Sequence, residues 1–285
     1  MYFFGMDMEE HPFRFEVTAR YADSFSGRAV RAPALMEALE EAAVEHCRAI
    51  GRDIFSLLDD GQGWILTGGG LRMIEYPSYG DRFVVETWIS EWKEFSGIRE
   101  YRISAPDGRT LGEGGGRWVF WDMTTRRPRP VPNVFRERWH FRVDSPYRRM
   151  YPASATPAIP GNGGVGAVGG EPRRCPDGGA DPGFESVERV ELKVRRGDVD
   201  LYDHLHNTTY MDWLMEAVPD GIYERSEPAR LGIRFFGEAR LGDEVAFLTR
   251  KNREGLLHDV VRESDGTLLV RGFSEWRERD RAVSA

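Results

Sequence analysis

The sequence predicts an α+β chain made of two copies of one unit, each an antiparallel sheet wrapped on a central helix. Three observations predict it. An alternating apolar strand, one amphipathic helix and a series of strand-like runs follow one another in that order, twice. Gly-Asp turns feed apolar strands at matching places, Tyr79-Gly-Asp-Arg-Phe-Val-Val85 and Leu241-Gly-Asp-Glu-Val-Ala-Phe247. Asp107-Gly108 stands as far ahead of Trp118 as Asp265-Gly266 does of Trp276, and Asp-Gly between β-rich runs is a hairpin signal.

The first copy opens with Phe13, Phe15 and Val17 at the two-residue spacing of a half-buried strand. Pro33 then starts a helix whose apolar stripe is Leu35, Ala38, Leu39, Ala42, Ala43, His46, Cys47 and Ile50, and Gly51 ends it. In the second copy Val190, Leu192 and Val194 alternate. A helix follows from about Asn207, with Tyr210, Trp213, Leu214 and Ala217 on one face and Pro219 near its end. Residues 145–185 are rich in Pro, Gly, Ala and Ser, show no sustained apolar period and read as a flexible linker. The expected domains are therefore 10–144 and 186–280, related by duplication, with one copy keeping chemistry and the other drifting toward binding.

The 285 residues suffice for two cores of ordinary size. A formal net charge of −8 argues against nucleic acid as the main partner, because phosphate binding needs a basic face. No apolar run approaches the roughly 18–20 residues that span a bilayer. The acidic start, Met1 to Glu10, lacks the basic and apolar stretches of a signal peptide. Cys47 and Cys175 are too few for a disulfide framework or a Cys-rich metal site, so a reducing cytoplasm is the expected compartment.

The densest chemistry lies in Asp198-Val-Asp-Leu-Tyr-Asp-His-Leu-His-Asn-Thr-Thr-Tyr-Met-Asp-Trp213, which sets two histidines and several acids ahead of the second helix. The N–H groups that open a helix have no partner within it and lie at the positive end of its dipole, where they can polarise a carbonyl. That is a place for acid–base chemistry on an ester or thioester. Such chemistry needs an attacking group, a base and a donor for the developing oxyanion. No Gly-x-Ser-x-Gly nucleophile elbow occurs. Cys47 lies on an apolar helix stripe and reads as core packing, and Cys175 lies in the linker, which leaves water as the attacking group.

Asp200-x-x-x-His204-x-x-Asn207-x-x-Tyr210-x-x-Trp213 opening the second helix resembles the acyl-acyl-carrier-protein thioesterases of the double hot-dog fold. Trp64 to Thr67, Tyr76 to Asp81, Glu86 to Ser90 and Trp118 to Arg127 look like the family's N-terminal hot dog. Phe235-Phe-Gly-Glu-Ala-Arg-Leu-Gly-Asp243 looks like part of its catalytic one. The resemblance implies hydrolysis of a fatty acyl thioester on acyl carrier protein, releasing fatty acid, with no metal or organic cofactor. It implies Asp200, His204 and Glu238 as catalytic positions. Tyr202 stands where the family usually has an asparagine, and Ala239 where plant members carry a cysteine.

Residue by residue, His204 is the candidate general base, or the group that orients it, against a capping or solvent-facing histidine. Glu238 is the candidate carboxylate beside it, against an ordinary turn acid at a strand's start. Asp200 shapes the turn through nearby amides. Asn207 is a natural N-cap, and the N–H groups of Asn207 and Thr208 are the candidate oxyanion site. His206 alternates with His204 and reads as pointing elsewhere. Tyr202 offers one hydroxyl in place of an amide's donor and acceptor, so it joins the catalytic set as its departure from pattern.

The glycines of Thr67-Gly-Gly-Gly-Leu71 and Gly112-Glu-Gly-Gly-Gly-Arg117 serve either to widen an acyl pocket or to allow close packing or a bulge. Arg126, Arg127, Arg129, Arg136 and Arg138 form a local basic run, either a docking patch for an acidic carrier protein or a solvated face. The same-class alternative is an acyl-CoA thioesterase. From other classes come a non-catalytic acyl-binding hot-dog protein and, more distantly, a dehydratase. A homodimer remains open.

Overall fold

The computed structural model describes residues 11–25, 29–147, 185–251 and 253–279. The chain divides into two compact units, Met1–Gly164 and Val165–Ala285. The division falls inside the segment read as a linker, of which residues 148–184, Cys175 included, lie outside the described residues.

In the first unit, β1 (Phe13–Thr18) leads to helix α1 (Ala32–Ala49), then a short α2 (Ile54–Asp59). Strands β2 (Gln62–Met73), β3 (Arg82–Trp92), β4 (Ser96–Ser104) and β5 (Thr110–Asp122) follow, with a two-residue β6 (Arg127–Pro128) and α3 (Asn133–Arg138). The sheet runs in the order β1-β3-β4-β5-β2, every pair antiparallel. Pro33 stands in the first turn of α1, where its missing N–H would have had no partner. Gly51, at φ +75°, takes the left-handed conformation just beyond the helix. The predicted stripe is the buried one: Leu35, Ala38, Leu39, Ala42, Ala43, His46 and Cys47 face inward. Several of these residues pack with Leu71, Met73, Phe83, Val85, Tyr101, Ile103 and Leu111 from the sheet. Leu35, with no exposed surface, contributes about 2 kcal/mol by burial alone.

The glycine-rich strands are β2 and β5, paired so that Gly69 faces Gly116 and Gly70 faces Gly115. A register shift between Leu66 and Gly68 marks a bulge. A Cβ on Gly114 would lie 3.0 Å from Leu39 Cδ1 of α1, and one on Gly115 would lie 2.6 Å from Tyr147 Cβ. The expectation that these glycines widen an acyl pocket is not met at these positions. Neighbouring groups fill the space, and the absent side chains let helix and backbone approach the sheet.

In the second unit, β7 (Glu185–Lys193) leads to α4 (Asn207–Glu216) and α5 (Asp220–Tyr223), then β8 (Ser226–Phe235), β9 (Glu244–Lys251), β10 (Leu256–Arg262) and β11 (Leu268–Glu278). The order is β8-β11-β10-β9-β7, again antiparallel throughout. Tyr210, Met211, Trp213, Leu214 and Met215 of α4 are buried, and Ala217 closes the helix. Gly272 on β11 lets Leu214 approach, since a Cβ there would lie 2.9 Å from Leu214 Cδ1. Pro219 begins the next short helix.

His258 on β10 is fully buried between the hydroxyls of Thr249, 3.0 Å from Nδ1, and Ser274, 2.9 Å from Nε2. Burial pushes its pKa down from 6.5 to about 3. The native imidazole stays neutral while the unfolded chain takes up a proton, so stability is complete above pH 6.5 and is lost as pH falls toward 3. In urea titrations across this window, His258→Gln should lower the slope of stability against pH by about 1.4 kcal/mol per unit. Gly115→Ala should destabilise the first unit by about 1–3 kcal/mol in the same assay at neutral pH, through overpacking against Tyr147.

Candidate active site

The two copies connect strand to helix in the same way. After β1, Arg20 and Asp23 cap a single 3-10 turn; after β7, Arg195 and Asp198 do the same. Each aspartate then accepts from the residue that caps the helix: Arg31 N–H to Asp23 O at 2.7 Å, His206 N–H to Asp198 O at 2.9 Å. In the second copy Arg195 donates to both oxygens of Asp198 and holds its carboxyl below the usual carboxylate range.

Between these points lies the loop that carries the candidate residues Asp200, Tyr202 and His204. Asp200 N–H bonds His204 O at 2.9 Å and Asp203 N–H bonds Asp200 O at 3.1 Å. Asp203 sits at φ +59°, a conformation that short polar residues tolerate. The Asp200 carboxylate accepts from the N–H of Tyr202 at 2.8 Å and of His204 at 3.3 Å. Asp200 therefore acts on the main chain, as expected, and its turn aims the His204 side chain. The main chain of Tyr202 is fixed in the same turn, with its side chain half-buried.

The partner segment is the loop between β8 and β9. Phe236 and Gly237 both donate to Leu269 O and so end the ladder, and Leu205 N–H bonds Ala239 O at 2.8 Å. That bond draws the two loops together and sets His204 Nε2 2.9 Å from Glu238 Oε2, with the side chains 24% and 32% exposed. Glu238 thus follows the end of a strand and does not sit at a strand's start, because the Leu269 carbonyl has already taken the last N–H groups of the ladder.

Arg240 lies at the rim, its Nη2 3.4 Å from His204 Nε2 and 3.8 Å from Glu238 Oε2. An imidazole nitrogen offers either a proton or a lone pair, and the shorter carboxylate contact calls for the proton on Nε2.

The helix cap differs from expectation. His206 is the N-cap and Asn207 the first helical residue, because His206 N–H is already bound to Asp198 O and its own carbonyl takes the first helical bond from Thr209 at 3.1 Å. His206 Nδ1 meets Thr208 Oγ1 at 2.8 Å, so this ring serves the helix start. The N–H groups of Asn207 and Thr208 precede the first helical bond, in the turn where donors have no intrahelical partner.

Three contributors escaped the sequence reading. Tyr210 lies on the apolar face of α4, and its hydroxyl accepts the Ala239 N–H at 3.1 Å. Arg262 donates through Nη2 to Glu238 O at 2.6 Å and through Nε to Asp243 at 3.2 Å. Arg240 lies between Glu238 and the Gly242-Asp243 turn. The Arg240-x-x-Asp243 turn repeats Ser78-x-x-Asp81, and that match was the available signal.

Elsewhere, Cys47 is buried and its thiol is pushed up to about 11 by burial, as a core residue's would be. In the basic run, Arg126, Arg127 and Arg138 are exposed, whereas Arg136 donates to the carbonyls of Lys93 and Glu94 and lies over Trp92. Among the described residues no group of three or more His, Cys, Asp or Glu is placed to hold a metal ion, and no helix is long and apolar enough to cross a membrane.

A tandem hot-dog chain with a His–carboxylate pair ahead of α4 in its second unit defines a class, and the sequence comparisons identify the family. The chain belongs to the acyl-ACP thioesterase family: the N-terminal domain of that family matches residues 10–139 and the C-terminal domain residues 184–278. An acyl-acyl-carrier-protein hydrolase of Cuphea viscosissima is 26% identical over 264 residues, covering 86% of this chain and 58% of that protein. A palmitoyl-acyl carrier protein thioesterase of Arabidopsis thaliana is 24% identical over 290 residues, covering 94% and 64%. The chain therefore spans about 60% of the length of such relatives. Among solved structures, an acyl-ACP thioesterase from Bacteroides thetaiotaomicron superposes with a TM-score of 0.74 at 17% identity, over 95% of this chain and all of that one. The 12:0-ACP thioesterase from Umbellularia californica gives 0.70 at 21%, over 97% and 100%. These two share the fold.

The Asp200 turn can be tested apart from any reaction. Asp200→Ala removes the acceptor for two N–H groups and should destabilise the second unit by about 1–2 kcal/mol, while Asp200→Asn, which keeps a carbonyl oxygen, should lose less than half of that in denaturant titrations.

Proposed function

We propose that this chain hydrolyses acyl thioesters, with fatty acyl-acyl carrier protein as substrate and a free fatty acid as product. The observation that carries the proposal is the His204–Glu238 contact at 2.9 Å, on a loop whose counterpart in the first unit lacks both groups. The matching main-chain bonds pair Phe25 with Asp200, Ala29 with His204 and Tyr76 with Glu238. We therefore assign catalysis to residues 186–280 and acyl-chain binding to residues 10–144. Family membership and the names of the relatives support the choice of substrate.

In this scheme Glu238 accepts a hydrogen bond from the Nε2–H of His204 and fixes the ring, leaving Nδ1 to take a proton from water. The water oxygen bonds to the thioester carbon. The oxyanion that forms is met by the N–H groups of Asn207 and Thr208, near the positive end of the α4 dipole. The C–S bond then breaks, the thiolate takes the proton from His204, and the carboxylic acid gives its remaining proton to solvent water as it leaves. Asp200 holds the loop and Arg240 lies where it can meet the product carboxylate. Tyr202 replaces a short amide with a phenol whose hydroxyl is a candidate partner for the carbonyl. The same steps would act on a coenzyme A thioester, so the donor is decided by measurement.

Free-thiol release should be followed on matched acyl-acyl-carrier-protein and acyl-CoA panels. Turnover should favour the carrier protein, and His204→Ala and Glu238→Gln should each lower kcat by about 10²–10⁴-fold. Absence of release from every donor in the wild type, with activity appearing in Tyr202→Asn, would instead establish a binding protein with a retired site.

A further inference from the structure

The two units build the same pair of loops, and among the described residues the second adds two side chains, Tyr210 and Arg262, that grip the loop from behind. In both, the loop before the helix bonds the loop before the third strand of its unit through one amide, Val30 N–H to Pro77 O at 2.8 Å and Leu205 N–H to Ala239 O at 2.8 Å. In both, the following turn is closed by an aspartate, Ser78 N–H to Asp81 Oδ2 at 2.8 Å and Arg240 N–H to Asp243 Oδ2 at 3.0 Å. The first unit makes these shared bonds with Leu35 and Ala105 at the matching positions.

In the second unit the residue one turn into the helix is Tyr210, and its hydroxyl takes the N–H of Ala239 at 3.1 Å. In the first unit that helix position is Leu35, and the loop residue is Pro77, which has no N–H to offer. At the end of β10 stands Arg262, bridging Glu238 O at 2.6 Å, Asp243 Oδ2 at 3.2 Å and Asp265 Oδ2 at 3.1 Å. The hairpin-closing bonds, Ala105 N–H to Arg109 O and Arg262 N–H to Thr267 O, place Ala105 there in the first unit, whose turn is one residue shorter. Both additions occur where His204 and Glu238 occur, and neither where Ala29 and Tyr76 replace them.

We infer that Tyr210 and Arg262 are positioning residues that lock the Glu238-Ala239 backbone so that the Glu238 carboxylate meets His204. Tyr210 is 2% exposed and packs edge-on against Phe235 at 5.6 Å, so its hydroxyl has a fixed address. Arg262 fixes the carbonyl of Glu238 itself, in the same planar peptide group as the Ala239 N–H that Tyr210 holds. Three consecutive main-chain groups, Glu238 C=O, Ala239 N–H and Ala239 C=O, are thereby tied to β10, to α4 and to the loop that carries His204. A displacement of about 1 Å in a reacting group costs on the order of 10²-fold in rate. Neither side chain touches the imidazole; each acts through the backbone.

The inference rests on the hydrolase reading for its kinetic consequence and on geometry alone for its structural one, so two readouts separate them. Tyr210→Phe, Arg262→Gln and the conservative Arg262→Lys would be made in the wild type and in Glu238→Gln. In the wild type, Tyr210→Phe and Arg262→Gln should lower kcat by about 10–100-fold with KM within about 2-fold, and Arg262→Lys should recover part of the loss. In the Glu238→Gln background the same changes should cost less than about 2-fold, because the group they position is gone. In ¹⁵N spectra of the resting protein, the His204 imidazole signals should move in Tyr210→Phe and Arg262→Gln toward those of Glu238→Gln. Equal losses in both backgrounds, or unmoved imidazole signals, would overturn the inference. A wild type inert toward every thioester would overturn the hydrolase reading alone, and the spectra would still decide the positioning.

Discussion

One backbone hydrogen bond organises the candidate site. Leu205 N–H to Ala239 O joins a loop leading into a helix to a loop leaving a strand. Each donor and acceptor is the chain neighbour of an ionisable residue, His204 on one side and Glu238 on the other. Making the bond brings the two side chains to contact distance, 2.9 Å, across 34 residues of sequence. The buried amide cannot be left without a partner, at a cost of about 1–3 kcal/mol, so the pairing is enforced by the main chain before any side-chain attraction acts.

The duplicated unit shows how chemistry is laid on such a scaffold. Asp23 and Asp198 cap the same turn, Asp81 and Asp243 close the same loop, and the helices start at the same place. These acids hold main chain, and both copies need them. What separates the copies is the set Asp200, His204 and Glu238 against Phe25, Ala29 and Tyr76. The polar set lies at the surface end of the helix, half-exposed, whereas the fully buried histidine of the same unit, His258, is held neutral between two hydroxyls. Reach to water, more than residue type, divides a histidine that can move protons from one that fills a core.

The glycines make the converse point. Their clustering in two strands was visible, but a missing side chain records only that something approaches closely. Leu39, Leu66, Met73 and Tyr147 turn out to fill the space above them. The arginines are similar: Arg136 counted as surface charge in the sequence, yet it caps two carbonyls and covers Trp92.

By itself the sequence determined the class of fold, the duplicated order of elements, the buried stripe of α1 and the candidacy of Asp200, His204 and Glu238. The order of elements and the stripe are written in apolar spacing and Gly-Asp turns, Asp200 and His204 stand in a run of ionisable residues ahead of a helix, and Glu238 is a candidate through the family resemblance. The sequence missed the N-cap by one residue, because capping at His206 rather than Asn207 depends on a bond to Asp198 that closes only when the loop folds back. Tyr210 carried an apolar signature, and its hydroxyl acquires meaning only from the Ala239 N–H, 29 residues away. The tertiary structure alone decided which groups meet, because contacts between loops are fixed by the packing of helix on sheet, and no periodicity within either loop encodes its partner.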